Sequence, residues 1–114
     1  MSHIEIVPAA GRVVVRWKGR KVVDTTQALE LREGSYPPVL YLPREDADMA
    51  LLASSSHHTT CPYKGLASYF HIRSEEGGDD NAVWTYETPI AGVEAIAGRL
   101  AFYPNKVEIT RSAA

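Results

Sequence analysis

Arg12-Val13-Val14-Val15-Arg16-Trp17, then Lys18-Gly19-Arg20, then Lys21-Val22-Val23-Asp24-Thr25, is the stretch whose reading decides the fold. Val13, Val15 and Trp17 fall on one face of an extended chain and Val14 and Arg16 on the other, the period of a strand. The short connection with a glycine suits a hairpin, and Val22 and Val23 suit the returning strand. Working outward, residues 4–7 read as a further strand. Residues 28–33 also read as a strand, because Leu29 and Leu31 alternate and Gly34-Ser35 stops the run. Tyr36-Pro37-Pro38 is held extended, since a residue before proline is pushed out of the helical region. Residues 39–42 continue as a strand.

Pro43 predicts a helix over residues 44–53, with Glu45, Asp46 and Asp48 favoured by the dipole in its first turns. Met49, Leu52 and Ala53 would form its apolar stripe, with Leu51 at the edge. Residues 54–60 are almost all small or polar and read as a loop. In residues 67–73, Tyr69, His71 and Arg73 alternate with Ser68, Phe70 and Ile72, a strand whose more apolar face is the Phe70 side. Residues 74–80 read as a polar loop, which makes Glu75-Glu76 and Asp79-Asp80 a solvated tip, and residues 81–87 return as a strand. Residues 93–97 allow one helical turn. Residues 100–103 and 107–110 are strands joined by Pro104-Asn105-Lys106. The expected fold is one small, mainly β, antiparallel domain over residues 1–114 with one short helix.

A chain of 114 residues suits a single core, and 45% hydrophobic with 23% charged residues is ordinary for a globular protein. The net charge of -2 carries no electrostatic footprint for nucleic acid. Arg16, Lys18, Arg20 and Lys21 cluster at a hairpin tip and read as solvated. One cysteine excludes an internal disulfide. The N-terminus lacks the basic start and apolar run of a signal peptide, and no stretch approaches the roughly 18 apolar residues of a membrane span. A cytoplasmic protein without membrane or nucleic-acid partners is expected.

The candidate site is Cys61-Pro62-Tyr63-Lys64-Gly65. Pro62 presets a β-turn that brings the Cys61 and Lys64 backbones within about 7 Å, and Gly65 redirects the chain. An ammonium near a thiol favours thiolate, so Cys61 is a candidate nucleophile stabilised by Lys64, with His57 or His58 as base. A binding pocket is the leading alternative. Arg44, Lys64, Thr59, Thr60 and the Tyr41 hydroxyl would meet an anionic or nucleotide-like small molecule, against an aromatic wall of Trp84 or Tyr86. His57, His58, Cys61 and His71 could share a zinc ion. Adjacent histidines in a polar loop are more simply solvated, so no metal and no cofactor is assigned. Free strand edges leave a homodimer open.

Four ordered blocks carry a family likeness: Tyr41-Leu42-Pro43-Arg44-Glu45-Asp46; Cys61-Pro62-Tyr63-Lys64-Gly65-Leu66-Ala67-Ser68-Tyr69; Ala82-Val83-Trp84-Thr85-Tyr86-Glu87-Thr88-Pro89; and Ile96-Ala97-Gly98-Arg99-Leu100-Ala101-Phe102-Tyr103. Over about residues 13–110 the chain resembles the domain-of-unknown-function family 427. The resemblance implies a small mainly β domain of the tent-like (Mss4-like) kind also seen in zinc-bearing relatives, and a nucleotidyltransferase label sometimes attached to the family. The zinc proteins use paired cysteines; with Cys61 alone, that site cannot be built in the usual way. The nucleotidyl transfer that the label implies would call for paired carboxylates around magnesium, and the pairs present, Glu75-Glu76 and Asp79-Asp80, fall in the polar hairpin loop.

Overall fold

The computed structural model describes residues 3–113, and among these ten strands form three antiparallel sheets. The hairpin of β2 (Arg12–Trp17) and β3 (Arg20–Thr25) turns on Lys18 and Gly19, with φ of 47° and 80°. Two positive φ values in a two-residue loop match the right-handed twist of the flanking strands, so Arg20 is already in the strand, opposite Trp17. β10 (Glu108–Ser112) pairs with the other edge of β2. A second sheet has the order β1 (Ile4–Pro8), β4 (Leu29–Glu33), β5 (Val39–Tyr41). The third runs β6 (Leu52–Cys61), β7 (Gly65–Ser74), β8 (Gly77–Thr85), β9 (Ala101–Phe102). Paired backbone bonds of 2.8 Å between Leu42 and Leu100 tie β5 to this sheet.

Side chains of the third sheet enter two apolar clusters. Ile72, Val83 and Phe102 join Val13, Val15 and Trp17 in the first. Ala67, Tyr69 and Ala101, with Tyr86 just past the end of β8, join Leu31 and Tyr41 in the second. The strand is as expected, but burial is not confined to the Phe70 side: Tyr69, on the other face, is buried as well as Ile72. The change of pairing between Phe70 and Ile72 is a bulge in β8, where Asn81 takes φ of 51° and donates its N–H to His71 Nδ1 at 3.0 Å.

The helix expected over residues 44–53 is absent. Two single 3-10 turns, Arg44–Asp46 and Met49–Leu51, stand in its place, and β6 begins at Leu52. An α-helix needs the N–H of Asp48 to reach the carbonyl of Arg44. Here that N–H is held by Val22 O at 2.7 Å, and Ala47 bridges Val23. The acids expected to complement a dipole serve as acceptors instead: Asp46 takes the Thr25 hydroxyl at 2.7 Å, and Asp48 takes the Ala50 N–H at 3.2 Å. An open edge of β3 thus captured a segment whose local preference was helical.

Residues 54–60, expected as a loop, lie in β6, an edge strand with a bulge between Ser54 and His58. Small polar residues fit there because one long side of the strand stays in water, and the bulge blunts further pairing. Residues 74–80 are likewise mostly strand, closed by a turn at Glu75-Glu76. Gly78 explains the glycine pair: a Cβ there would sit 2.4 Å from Ile72 O, so no side chain fits. Asp79 is no solvated tip. It accepts the indole N–H of the buried Trp17 at 2.7 Å and pairs with Lys106 at 3.7 Å, while Asp80 pairs with Arg73. No helix among the described residues is long and apolar enough to cross a membrane.

Candidate functional site

The turn between β6 and β7 closes with the Lys64 N–H on Cys61 O at 3.3 Å, and Gly65 takes φ of 114°. Lys64 O accepts the Ile90 N–H at 3.0 Å, which pins the turn to the segment after β8. So fixed, Lys64 points inward. Its Nζ lies 2.9 Å from Glu33 Oε1 at the end of β4, and the two side chains are only 13% and 18% exposed. The ion pair thus joins elements from two different sheets.

Glu33 and Lys64 line a cavity of about 220 Å³ whose walls are otherwise mostly aromatic: Tyr36, Tyr41, Tyr69, Trp84, Tyr86 and Tyr103. Trp84 meets Tyr41 edge-on and donates its Nε1–H to the Tyr41 oxygen at 3.3 Å. Tyr103 packs 4.6 Å from Trp84, and Tyr86 is tilted against Tyr41. Tyr69 shares a hydrogen bond of 2.9 Å with Thr59 and packs 4.6 Å from the His57 ring. Aromatic pairs in such tilted geometries add about 0.5–1.5 kcal/mol each beyond their buried area, so the wall is stiff.

Burial opposes a charge on Lys64, but its hydrogen bond to Glu33, with Cys61 and Tyr41 nearby, outweighs this and raises its pKa above the ordinary 10.5. The amine is therefore held protonated at neutral pH. Burial also raises the phenols of Tyr41 and Tyr86, and it pushes Tyr103 up to about 12, helped by its hydrogen bond with Tyr69. All four shifts carry the same sign: in the unfolded chain these groups lose their protons at lower pH than in the folded one. The stability they contribute is full below about pH 10 and drains away as pH rises through the folded values. Urea midpoints should accordingly stay level from pH 7 to 9 and fall above 10. In a phenolate absorbance titration, Tyr41, Tyr86 and Tyr103 should ionise above the ordinary phenol value of 10. Ionisation of these three at that ordinary value would show that the cavity is wet.

Of the residues singled out in the sequence, Tyr41, Lys64, Trp84 and Tyr86 come together in this cavity. Arg44 does not line it. Its Nε donates to Gly98 O at 2.6 Å, a second nitrogen reaches Glu87 at 2.5 Å, and the guanidinium lies 5.3 Å from the Phe70 ring. Thr60 is exposed on β6. Cys61 is half-buried and packs against the second apolar cluster beside Lys64. The proposed bases are badly placed for it. His57 is four strand residues away, about 13 Å of extended chain, and stacks on Tyr69, while the His58 ring lies 3.4 Å from Ser68. His71 is engaged by Asn81, and no group of three His, Cys, Asp or Glu among the described residues could hold a metal ion. Iodoacetamide should label Cys61 at neutral pH no faster than a free model thiol. A rate above that would restore the nucleophile.

Glu33, Tyr69 and Tyr103 are cavity residues that the sequence alone did not single out. Glu33 ends a strand next to Gly34-Ser35, and nothing local marks it as Lys64's partner. Tyr69 and Tyr103 stand within the family blocks, but their strand alternation is equally that of core residues.

The family model described as domain of unknown function DUF427 matches residues 5–113, nearly the whole chain. The chain belongs to the DUF427 family. No curated protein matches it. The DUF427 match covers both residues of the ion pair and the entire aromatic wall, so the cavity is built within the family domain.

Proposed function

We propose that this DUF427 domain binds a small, planar, uncharged molecule carrying a hydrogen-bond donor and an acceptor on one edge, such as a nucleobase or an aromatic carboxamide. The observation that carries this reading is the Glu33–Lys64 pair set in an aromatic-walled cavity. A carboxylate beside an ammonium presents one acceptor and one donor to the same incoming edge. Hydrogen bonds to such ionised groups are the stronger kind. The rings of Trp84, Tyr86 and Tyr103 supply flat faces for stacking.

Charge balance argues against an anionic ligand, which the sequence led us to expect alongside a nucleotide-like one. Lys64 is already matched by Glu33 at 2.9 Å, and Arg44, the second cation invoked there, is turned away onto Glu87 and Gly98. A phosphate or carboxylate would meet the Glu33 carboxylate as closely as the ammonium. The raised pKa of Lys64 also removes it as a neutral amine nucleophile. Nucleotidyl transfer gains no support from Asp79 and Asp80, which are engaged by Trp17 and Arg73.

Thermal-shift screening with adenine, hypoxanthine, benzamide and their anionic counterparts tests the proposal, since a ligand of the folded state alone raises the melting temperature with its concentration. A neutral planar compound should shift the melt. Lys64→Gln and Glu33→Gln should each weaken it about tenfold or more, the scale of a hydrogen bond to a charged group. Glu75→Gln, on the exposed turn, should leave it unchanged. The reading fails if only anions bind, or if no compound distinguishes the cavity variants from the turn control.

A further inference from the structure

The cavity holding Glu33 and Lys64 is continuous in its lining with a second void. Tyr36, Pro37, Val39 and Trp84 border both, and the second void is larger, about 410 Å³. Its other walls are Pro38, Leu40, Leu42, Phe102, Pro104 and Ile109, all without a polar side-chain atom. The two voids therefore differ in chemistry. One offers an ion pair and phenols, the other hydrocarbon.

β5 draws the division, because successive side chains of a strand point to opposite faces. Val39 and Tyr41 belong with the second apolar cluster, Leu40 and Leu42 with the first. The two faces of one short strand thus line two adjoining spaces, with the Tyr36-Pro37-Pro38 segment along their common border. Tyr36 is 73% exposed there, an aromatic ring standing in water beside both openings. Size points the same way. Sites for drug-sized ligands span about 300–1,000 Å³, and the polar cavity alone falls below that range while the groove brings the joint site into it.

Resting on the head-group reading proposed above, we infer that the ligand is amphipathic: a planar donor–acceptor head at Glu33 and Lys64 bears a hydrocarbon substituent that lies in the groove between Leu40, Leu42, Phe102 and Ile109. A substituent of the same molecule is the occupant, rather than a partner protein, because the groove shares four wall residues with the head cavity. A chain leaving the head would pass the shared border of Tyr36, Pro37, Val39 and Trp84 to reach the hydrocarbon walls.

A calorimetric series of 4-alkylbenzamides, from methyl to octyl, with benzamide and the matching alkylbenzenes, tests this. The expected Kd falls about fourfold for each added methylene until the groove is full. Ile109→Asn should flatten that dependence, and so should Pro104→Asp at the exposed rim; Glu75→Gln should retain it. Lys64→Gln should weaken every member of the series by a similar factor. If benzamide binds and chain length makes no difference, the inference is overturned while the head reading stands. If alkylbenzenes bind as well as alkylbenzamides and ignore Lys64→Gln, both are overturned; absence of binding throughout the series overturns the inference, while the head reading then stands or falls on the adenine and hypoxanthine melts.

Discussion

Trp17→Ala is expected to lower the unfolding free energy by about 3–5 kcal/mol, the usual cost of emptying a large aromatic site in a core. Trp17 is 1% exposed, at the end of β2 where the first apolar cluster meets β8. Its loss leaves a cavity between two sheets, and it strips Asp79 of the indole N–H at 2.7 Å. Domains of this size are stable by about 5–15 kcal/mol, so the variant should stand near the edge of folding. Urea denaturation gives the number. Two companions separate packing from the hydrogen bond. Trp17→Phe keeps most of the volume, and Asp79→Ala keeps the ring but leaves its buried donor without this acceptor, a loss of about 1–3 kcal/mol. Asp79→Asn retains an acceptor and should cost less than Asp79→Ala. Equal midpoints for Asp79→Ala and Glu75→Ala would return Asp79 to the status of a solvated loop residue.

Lys64→Met carries the second large effect, about 1.5–3 kcal/mol, the range for hydrogen bonds to charged groups. It withdraws a cation from a carboxylate that stays in the cavity, and breaking such a pair costs more than replacing it entirely. The double variant Lys64→Met/Glu33→Gln should therefore regain part of the loss. A coupling energy of about 0.5–3 kcal/mol is expected from the double-mutant cycle at pH 7. The pair is 13% and 18% exposed, so added salt should change that coupling little. Strict additivity would mean that the turn lysine and the strand-end glutamate are a surface contact, and the cavity would lose its polar end.

The fold was legible wherever local chemistry and tertiary pairing agree. The alternation of Val13, Val15 and Trp17 and the glycine-bearing connection at residues 18–20 fall in this class, since a hairpin is closed by neighbours in sequence; so does the strand expected over residues 28–33, where the period of Leu29 and Leu31 agrees with the pairing of β4 to β1 and β5. Residues 44–60 were misread for one reason twice over. Arg44 to Ala53 favours a helix by composition, and residues 54–60 favour a loop, but β3 offers Val22 O to Asp48 and β7 offers its edge to β6. Neither edge can be seen from the segment it captures. The same holds for Asp79, whose partner lies 62 residues away.

The candidate site divides likewise. Composition and pattern determined a mainly β chain, the turn at Cys61–Gly65 and the block likeness to DUF427, because strand period, proline and glycine act within a few residues. Only the tertiary structure decided that Lys64 pairs with Glu33 rather than facing solvent, that Tyr69 and Tyr103 complete the wall while Arg44 leaves it, and that an apolar groove adjoins. The physical reason is that a salt bridge and an aromatic wall are set by distances in space between strands of different sheets, and those distances follow from burying two apolar clusters at once, not from the order of residues along the chain.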